Sequence, residues 1–318
     1  MYYSIRHLTR FHYSDPVQEN VMEARMQPRT EAYQTCHRFQ LTVRPTASIH
    51  TYQDYLDNTI HHFGLPVLHK QLALTAEALV ELIHTPIVPE SLPTSSWQEL
   101  SQLGSHFDFW DMLQPSRFTQ PTPLLLAFAA ELNINAPDPL TAVRQLNERI
   151  YASFDYAPQT TDVHSVFDEA LSQRKGVCQD FTHIMIALLR QMKIPARYVS
   201  GYLFHRQQPQ NQDRSVEDAT HAWVEVFLPG LDWVGFDPTN NLIVGERHVR
   251  VAIGRDYADV PPTRGVYSGD ATDELTVGVS VTQADAPVVQ DEDLLPDTTW
   301  EPIEEADLLL YQEQQQQQ

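Results

Sequence analysis

The chain has two cysteines, and one of them, Cys178, sits where a thiol can do chemistry. Residues Gly176-Val177-Cys178-Gln179-Asp180-Phe181 open an apolar stripe at Phe181, Ile184, Met185, Leu188, Leu189 and Met192, which follows the i, i+3, i+4, i+7 spacing of a helix. A helix therefore begins near Cys178. A sulfur at that point meets unpaired backbone N–H groups and the positive end of the helix dipole, both of which favour thiolate. Gly176 has no side chain, so it could let a substrate carbonyl approach the sulfur and the nearby N–H groups, which could act as an oxyanion hole. A free cysteine is also commonly a small buried hydrophobe, and Cys178 taken alone fits either reading.

A base and an orienting acid follow in chain order. In His221-Ala222-Trp223-Val224-Glu225-Val226-Phe227-Leu228, strand alternation puts Ala222, Val224, Val226 and Leu228 on one apolar face and His221 and Trp223 on the other. Pro229-Gly230-Leu231 can turn the chain into Asp232-Trp233-Val234-Gly235-Phe236-Asp237, where Pro238 helps to end the strand. A three-residue turn pairs Leu228 with Asp232, sets Trp223 opposite Asp237, and leaves His221 a diagonal neighbour roughly 7 to 8 Å away on the same face. A two-residue turn would put the two on opposite faces. With the first parity, His221 can draw the thiol proton and return it to a leaving amine, while Asp237 fixes its tautomer. Fourteen histidines are present and Asp-Pro is an ordinary turn signal, so the weight lies in the conjunction of the three residues.

Three neighbours stand beside them. Asp180 stabilises a helix start but opposes thiolate formation, so it reads as structural, capping the helix or bonding to the core. Trp223 could shield the His–Asp pair from water or line the acyl site. Tyr202 could line the cleft, although strand aromatics are more often core. The sequence has no His-Glu-x-x-His, glycine-rich phosphate loop or Gly-x-Ser-x-Gly elbow, and His61-His62 with His69 fit no strong metal spacing. No metal or other cofactor is expected.

These residues need a helix followed by a hairpin, and the chain supplies that order. Asp138-Pro139 gives an N-cap and a first-turn proline to a helix carrying Leu140, Val143, Leu146, Ile150 and Phe154. Strands are expected at Tyr198 to Tyr202, His221 to Leu228 and Trp233 to Asp237, giving an α+β arrangement. Residues 1–90 read as a small all-β domain, with runs such as Phe39-Gln40-Leu41-Thr42-Val43 between Pro28, Pro45 and Asp57-Asn58. His69 to Ile83 reads as a strand from its alternating Leu72, Leu74 and Ala76. Prolines 86, 89 and 93 mark a boundary before a helical linker at 91–137; a core follows at 138–283, and an acidic, glutamine-ended tail at 284–318 reads as solvated and mobile.

Composition narrows the function classes. The 318 residues suit two domains, and 42% hydrophobic residues suffice for packed cores. With 21 basic against 42 acidic side chains the net charge is -21, which repels phosphate backbones and anionic lipid, so neither nucleic acid nor membrane is an expected partner. Much of that excess lies beyond Arg264, the last basic residue. Two cysteines and an N-terminus without an apolar leader fit a reducing, cytoplasmic setting.

Gly-Val-Cys-Gln-Asp-Phe at 176–181, Ile-Pro-Ala-Arg-Tyr-Val-Ser-Gly-Tyr at 194–202, His-Ala-Trp-Val-Glu-Val at 221–226 and Phe-Asp-Pro-Thr-Asn at 236–240 resemble the transglutaminase core of bacterial transglutaminase-like proteins. The N-terminal segment resembles the β-sandwich domain that often precedes it. The resemblance covers most of 1–283 and implies a papain-like core of helices on an antiparallel sheet. It further implies that Cys178, His221 and Asp237 are nucleophile, base and orienting group, with acyl transfer through a thioester on a peptide or protein. The acceptor, water or amine, stays open. The competing expectation is a non-catalytic interaction scaffold that keeps the fold.

Overall fold

The computed structural model describes residues 1–83, 87–103, 106–157, 167–206, 213–215 and 219–284. Pro86 and the acidic tail beyond Ala284, both used in the sequence reading, lie outside the described residues.

The N-terminal strands are β1 (Tyr2–Ala24), β2 (Gln34–Arg44), β3 (Ile49–Gln53), β4 (Thr59–Leu65) and β5 (His69–Leu82). The alternation of Leu72, Leu74, Ala76 and Ala78 in β5 places all four in the interior, as a half-buried strand requires. β1 is long enough to serve two stretches of sheet. Tyr2 to His12 pair with β5, and after a register shift near Val17 residues 20–24 pair with β4. Pro16 and the left-handed Glu19 (φ 51°) lie in this irregular stretch, where the ladder is interrupted and the strand can bend. The result is one curled seven-stranded antiparallel sheet rather than two separate sheets. Its hollow is filled by Tyr13, Val17, Met22, Phe63, Leu65 and Leu72.

Helices α1 (Ser96–Leu103), α2 (Phe107–Leu113), α3 (Pro123–Leu132) and α4 (Pro139–Ser153) follow. Asp138 caps α4 by accepting from the Thr141 N–H at 3.0 Å, and it also accepts from Leu92 N–H at 3.1 Å, which fastens the preceding segment. Then come β6 (Asp155–Tyr156), α5 (Asp168–Gln173), β7 (Lys175–Gly176) and α6 (Cys178–Gln191). The second sheet is built from β8 (Ala196–Leu203), β9 (His221–Leu228), β10 (Asp232–Asp237), β11 (Leu242–Ile243) and β12 (His248–Gly254), in the order β11-β10-β9-β8-β12.

α6 is more central than an amphipathic pattern implies. Its apolar stripe joins Ala222, Val224 and Val226 in the main core. Its polar residues Thr182, His183 and Arg190 are buried too. A buried guanidinium must use its donors, and Arg190 gives them to Met112 O, Ser116 Oγ, Thr119 Oγ1, Ala196 O and Arg255 O. His183 Nε2 accepts the Tyr257 N–H at 3.1 Å.

The stretch assigned from sequence to the core, 138–283, does not all pack there. β13 (Thr263–Ser268) and β14 (Asp273–Ala284) return to the N-terminal sheet and pair with β1, β14 in unbroken register from Tyr2↔Ala284 to Tyr13↔Asp273. β1 would otherwise present an unpaired edge, and these strands satisfy it.

The N-terminal sheet in turn secures the outer edge of β12. The Gln34 side chain accepts the Arg250 N–H and donates to Arg250 O, both at 2.8 Å. Asn58 does the same for Ile253, also at 2.8 Å both ways. Two primary amides thus imitate the ladder of a missing strand. An ionic chain runs alongside, from Glu31 to Arg250 at 3.2 Å, from Arg250 to the fully buried Glu225, and from Glu225 to Arg197 at 2.7 Å. Burial opposes a charged Glu225, but the two arginines outweigh it and lower its pKa.

Candidate active site

Val177 is the extended N-cap of α6, so Cys178 occupies the first helical position and is partly exposed. Valine has no oxygen with which to cap, but the other half of a capping box is present: at the third helical position, Asp180 takes the Val177 N–H on its Oδ2 at 2.8 Å. Asp180 is 1% exposed, and the space it fills is the one Gly176 leaves open. A Cβ on Gly176 would stand 2.7 Å from Asp180 Oδ2, so the room made by this glycine is taken by the cap.

The hairpin has the three-residue turn. Asp232 pairs with Leu228 and Phe236 with Val224, so the next position carries Asp237 opposite Trp223 on the face that also bears His221. His221 Nε2 lies 2.8 Å from Asp237 Oδ2, with both side chains buried. An ionised carboxylate only accepts, so Nε2 carries a proton, and Nδ1 is the nitrogen left to exchange a proton with sulfur. Burial disfavours the imidazolium, yet the charge and hydrogen bond of Asp237, joined by Cys178, outweigh it and push the His221 pKa up to about 10. Asp237 is driven the other way: the same charge and hydrogen bonds overcome burial and hold its carboxyl far below the usual range.

The two carboxylate oxygens divide their work. Oδ1 accepts the backbone N–H groups of Thr239 at 3.0 Å and Asn240 at 3.2 Å, which is the turn expected of Asp-Pro. Oδ2 accepts from His221, from Asn240 Nδ2 at 2.8 Å and from His248 Nε2 at 3.2 Å. The turn and the histidine contact therefore coexist in one residue.

Trp223 has no exposed surface. It packs with Val199 and Ile253, with Leu56 and Val244 around them, and meets the His248 ring edge-on at 5.3 Å. It covers the His–Asp pair and has no face to offer a ligand. It lies where Gly201 leaves space: a Cβ there would be 2.6 Å from the indole and 2.1 Å from Val249 O. Tyr202 is displaced from its expected place. It follows Gly201, which pairs with His221, so it points to the opposite face of the sheet, where its hydroxyl meets His7 Nδ1 at 3.0 Å. Packing against the N-terminal sheet, not a cleft, claims this aromatic.

Sequence reasoning missed His248, Asn240 and Tyr257. The Tyr257 hydroxyl is close enough to Cys178 that charge on the sulfur adds to burial in pushing its pKa up to about 12. Asn240 was legible, three residues after Asp237 in an Asx turn. His248 was not, because only the folded sheet brings β12 across β8 towards β10. His221, Asp237 and His248 place metal-binding atoms within 4.8 Å of one another. Both nitrogens already bond to Oδ2, and an ion at that point would take the Nε2 that Asp237 orients.

Comparison with known proteins places this geometry among relatives. Residues 126–238 match the transglutaminase-like superfamily, and residues 3–81 match the bacterial transglutaminase-like N-terminal region. An uncharacterised protein of Mycobacterium leprae is 35% identical over 277 residues, covering 87% of this chain and 97% of that protein. A protein-glutamine gamma-glutamyltransferase of Pseudomonas aeruginosa is 33% identical over 121 residues, 37% of this chain and 18% of that one. The fold is shared with a candidate cysteine protease from Cytophaga hutchinsonii, with a TM-score of 0.68 at 22% identity over 92% of this chain and 94% of that structure.

Proposed function

The chain belongs to the transglutaminase-like superfamily, a family of thiol-based acyltransferases and proteases, and on that premise we propose that it transfers the acyl group of a peptide or protein amide through a thioester on Cys178. The observation that carries the reading is the buried 2.8 Å contact of His221 Nε2 with Asp237, which leaves Nδ1 as the proton acceptor. His221, basic enough to hold the Cys178 proton on Nδ1, leaves a thiolate that attacks the amide carbonyl, and backbone N–H groups at the start of α6 receive the developing oxyanion. The C–N bond breaks as the imidazolium gives its proton to the departing amine, leaving an S-acyl enzyme. Water or a primary amine then attacks the thioester, giving up a proton to His221, and the thiol is regenerated.

The net charge of -21 supports a peptide or protein substrate over a polyanion, and two free cysteines support a reducing, cytoplasmic setting. Incubation with mixed peptides in heavy-oxygen water containing a primary amine tests the reaction. Mass spectrometry should show either heavy oxygen or the amine at a cleaved amide, and Cys178→Ala should abolish both while melting like the parent. Silence across a broad peptide set would replace this reading with a scaffold. Treatment with a chelator should leave turnover unchanged, since no step above uses a metal.

A further inference from the structure

We propose that His248 is a positioning residue for the acyl transfer: its Nε2–H holds the same Asp237 oxygen that orients the catalytic base, so the two imidazoles share one carboxylate. The inference rests on the function proposed above and adds a member to its machinery.

The geometry supports it from three sides. His248 Nε2 lies 3.2 Å from Asp237 Oδ2, and both groups are buried. The ring is held by edge-on contact with Trp223 at 5.3 Å and stands 6.1 Å, centroid to centroid, from the His221 ring. Its Nδ1 is buried and has no hydrogen-bond partner among the described residues, so no acceptor there calls for a proton on Nδ1 in place of Nε2. The charged groups acting on His248 are Asp237, His221 and Arg247. Burial, with the positive charges of His221 and Arg247, outweighs Asp237 and lowers its pKa, which keeps the ring a neutral donor. A neutral donor steadies the carboxylate without neutralising the charge that His221 needs.

The strand bearing His248 makes the arrangement more than local. β12 is the edge strand that Gln34 and Asn58 clamp from the N-terminal sheet. The distance from His248 to Asp237 is thus set in part by a distant sheet.

The test uses the whole chain and two substitutions. His248→Phe keeps a ring against Trp223 and removes the donor; His248→Gln keeps a donor. Iodoacetamide labelling of Cys178 is followed against pH, with Cys36 as the internal standard. A hydrogen bond to a charged group is worth about 1.5 to 3 kcal/mol, so H248F should slow Cys178 labelling near neutral pH by about tenfold or more. Cys36 should be unaffected and H248Q should recover most of the loss. H248F labelling like the parent overturns the role of His248. Parent Cys178 labelling no faster than Cys36 overturns the acyl-transfer reading itself, which separates the two failures. Should H248F not fold, imidazole nitrogen spectra of the parent decide: a proton on Nε2 of His248 supports the assignment, and one on Nδ1 refutes it.

Discussion

At the scale of single residues, the instructive group is Asp237, whose two oxygens serve different masters. One accepts the turn N–H groups of Thr239 and Asn240, and the other accepts the side chains that orient the base. Asp237→Asn can keep the turn, because asparagine makes the same Asx turn, but it no longer holds His221 in the required tautomer. Turnover should fall by about three to four orders of magnitude with the fold retained, as measured by steady-state rates and a thermal melt. Retained activity would remove Asp237 from the mechanism. Much at this scale was legible, since helix-starting Cys178, strand-borne His221 and strand-ending Asp237 each follow from local pattern. His248 was not, because a histidine in an alternating strand has no local sign of what lies three strands away.

At the scale of elements, β9 shows where alternation stops being informative. Its Ala222, Val224, Val226 and Leu228 face was readable as core, but Trp223 and Glu225 on the other face are equally buried. The cover on that side includes Leu56 and Arg250, far from β9 in sequence, so no window of β9 could reveal it. The close fit there makes Gly201 a sensitive point. Gly201→Ala would set a methyl 2.1 Å from the Val249 carbonyl and 2.6 Å from Trp223. Overpacking of this kind typically costs about 1 to 3 kcal/mol, and a clash with backbone leaves little room for relief. Urea unfolding should show that loss, and near-ultraviolet circular dichroism should report a moved indole. An unchanged melt would mean that the sheet yields more easily than its contacts imply.

At the scale of the molecule, two deeply buried neutral histidines tie stability to pH. His7, between the N-terminal sheet and Tyr202, is held down to about 4 by burial. His183, inside the helical layer, is held down to about 3 by burial and by Arg190. In the unfolded chain each takes a proton near pH 6.5, so below that value the unfolded state binds more protons than the native one. Their contribution to stability is therefore complete above about pH 6.5 and is lost as pH falls towards the folded values, with Asp237 adding to the loss at still lower pH, whereas His221, held up to about 10, contributes fully below pH 6.5 and loses its share as pH rises towards 10. Between pH 7 and 4.5 each histidine should cost roughly 2 to 3 kcal/mol, read from urea titrations at the two pH values. His7→Phe should flatten that dependence, and a slope unchanged by this substitution would contradict the assignment. Helices and strands of the core were readable because their patterns are local. The return of β13 and β14 to the first sheet was not, since strand partners are chosen by free edges rather than by neighbouring sequence.

That return has a consequence for how the molecule comes into being. β1 meets β5 soon after both are synthesised, but its other flank waits for residues 273–284, the last of the described strands to emerge. Throughout that interval the open flank of β1 along residues 2–13 offers backbone groups to any passing strand. Pairings this distant in sequence are slow to form, because a long loop must close before they repay its lost entropy. The sheet that braces the reactive site is thus completed only after the elements that carry Cys178, His221 and Asp237 have been made, and until then the nascent chain is open to misassembly.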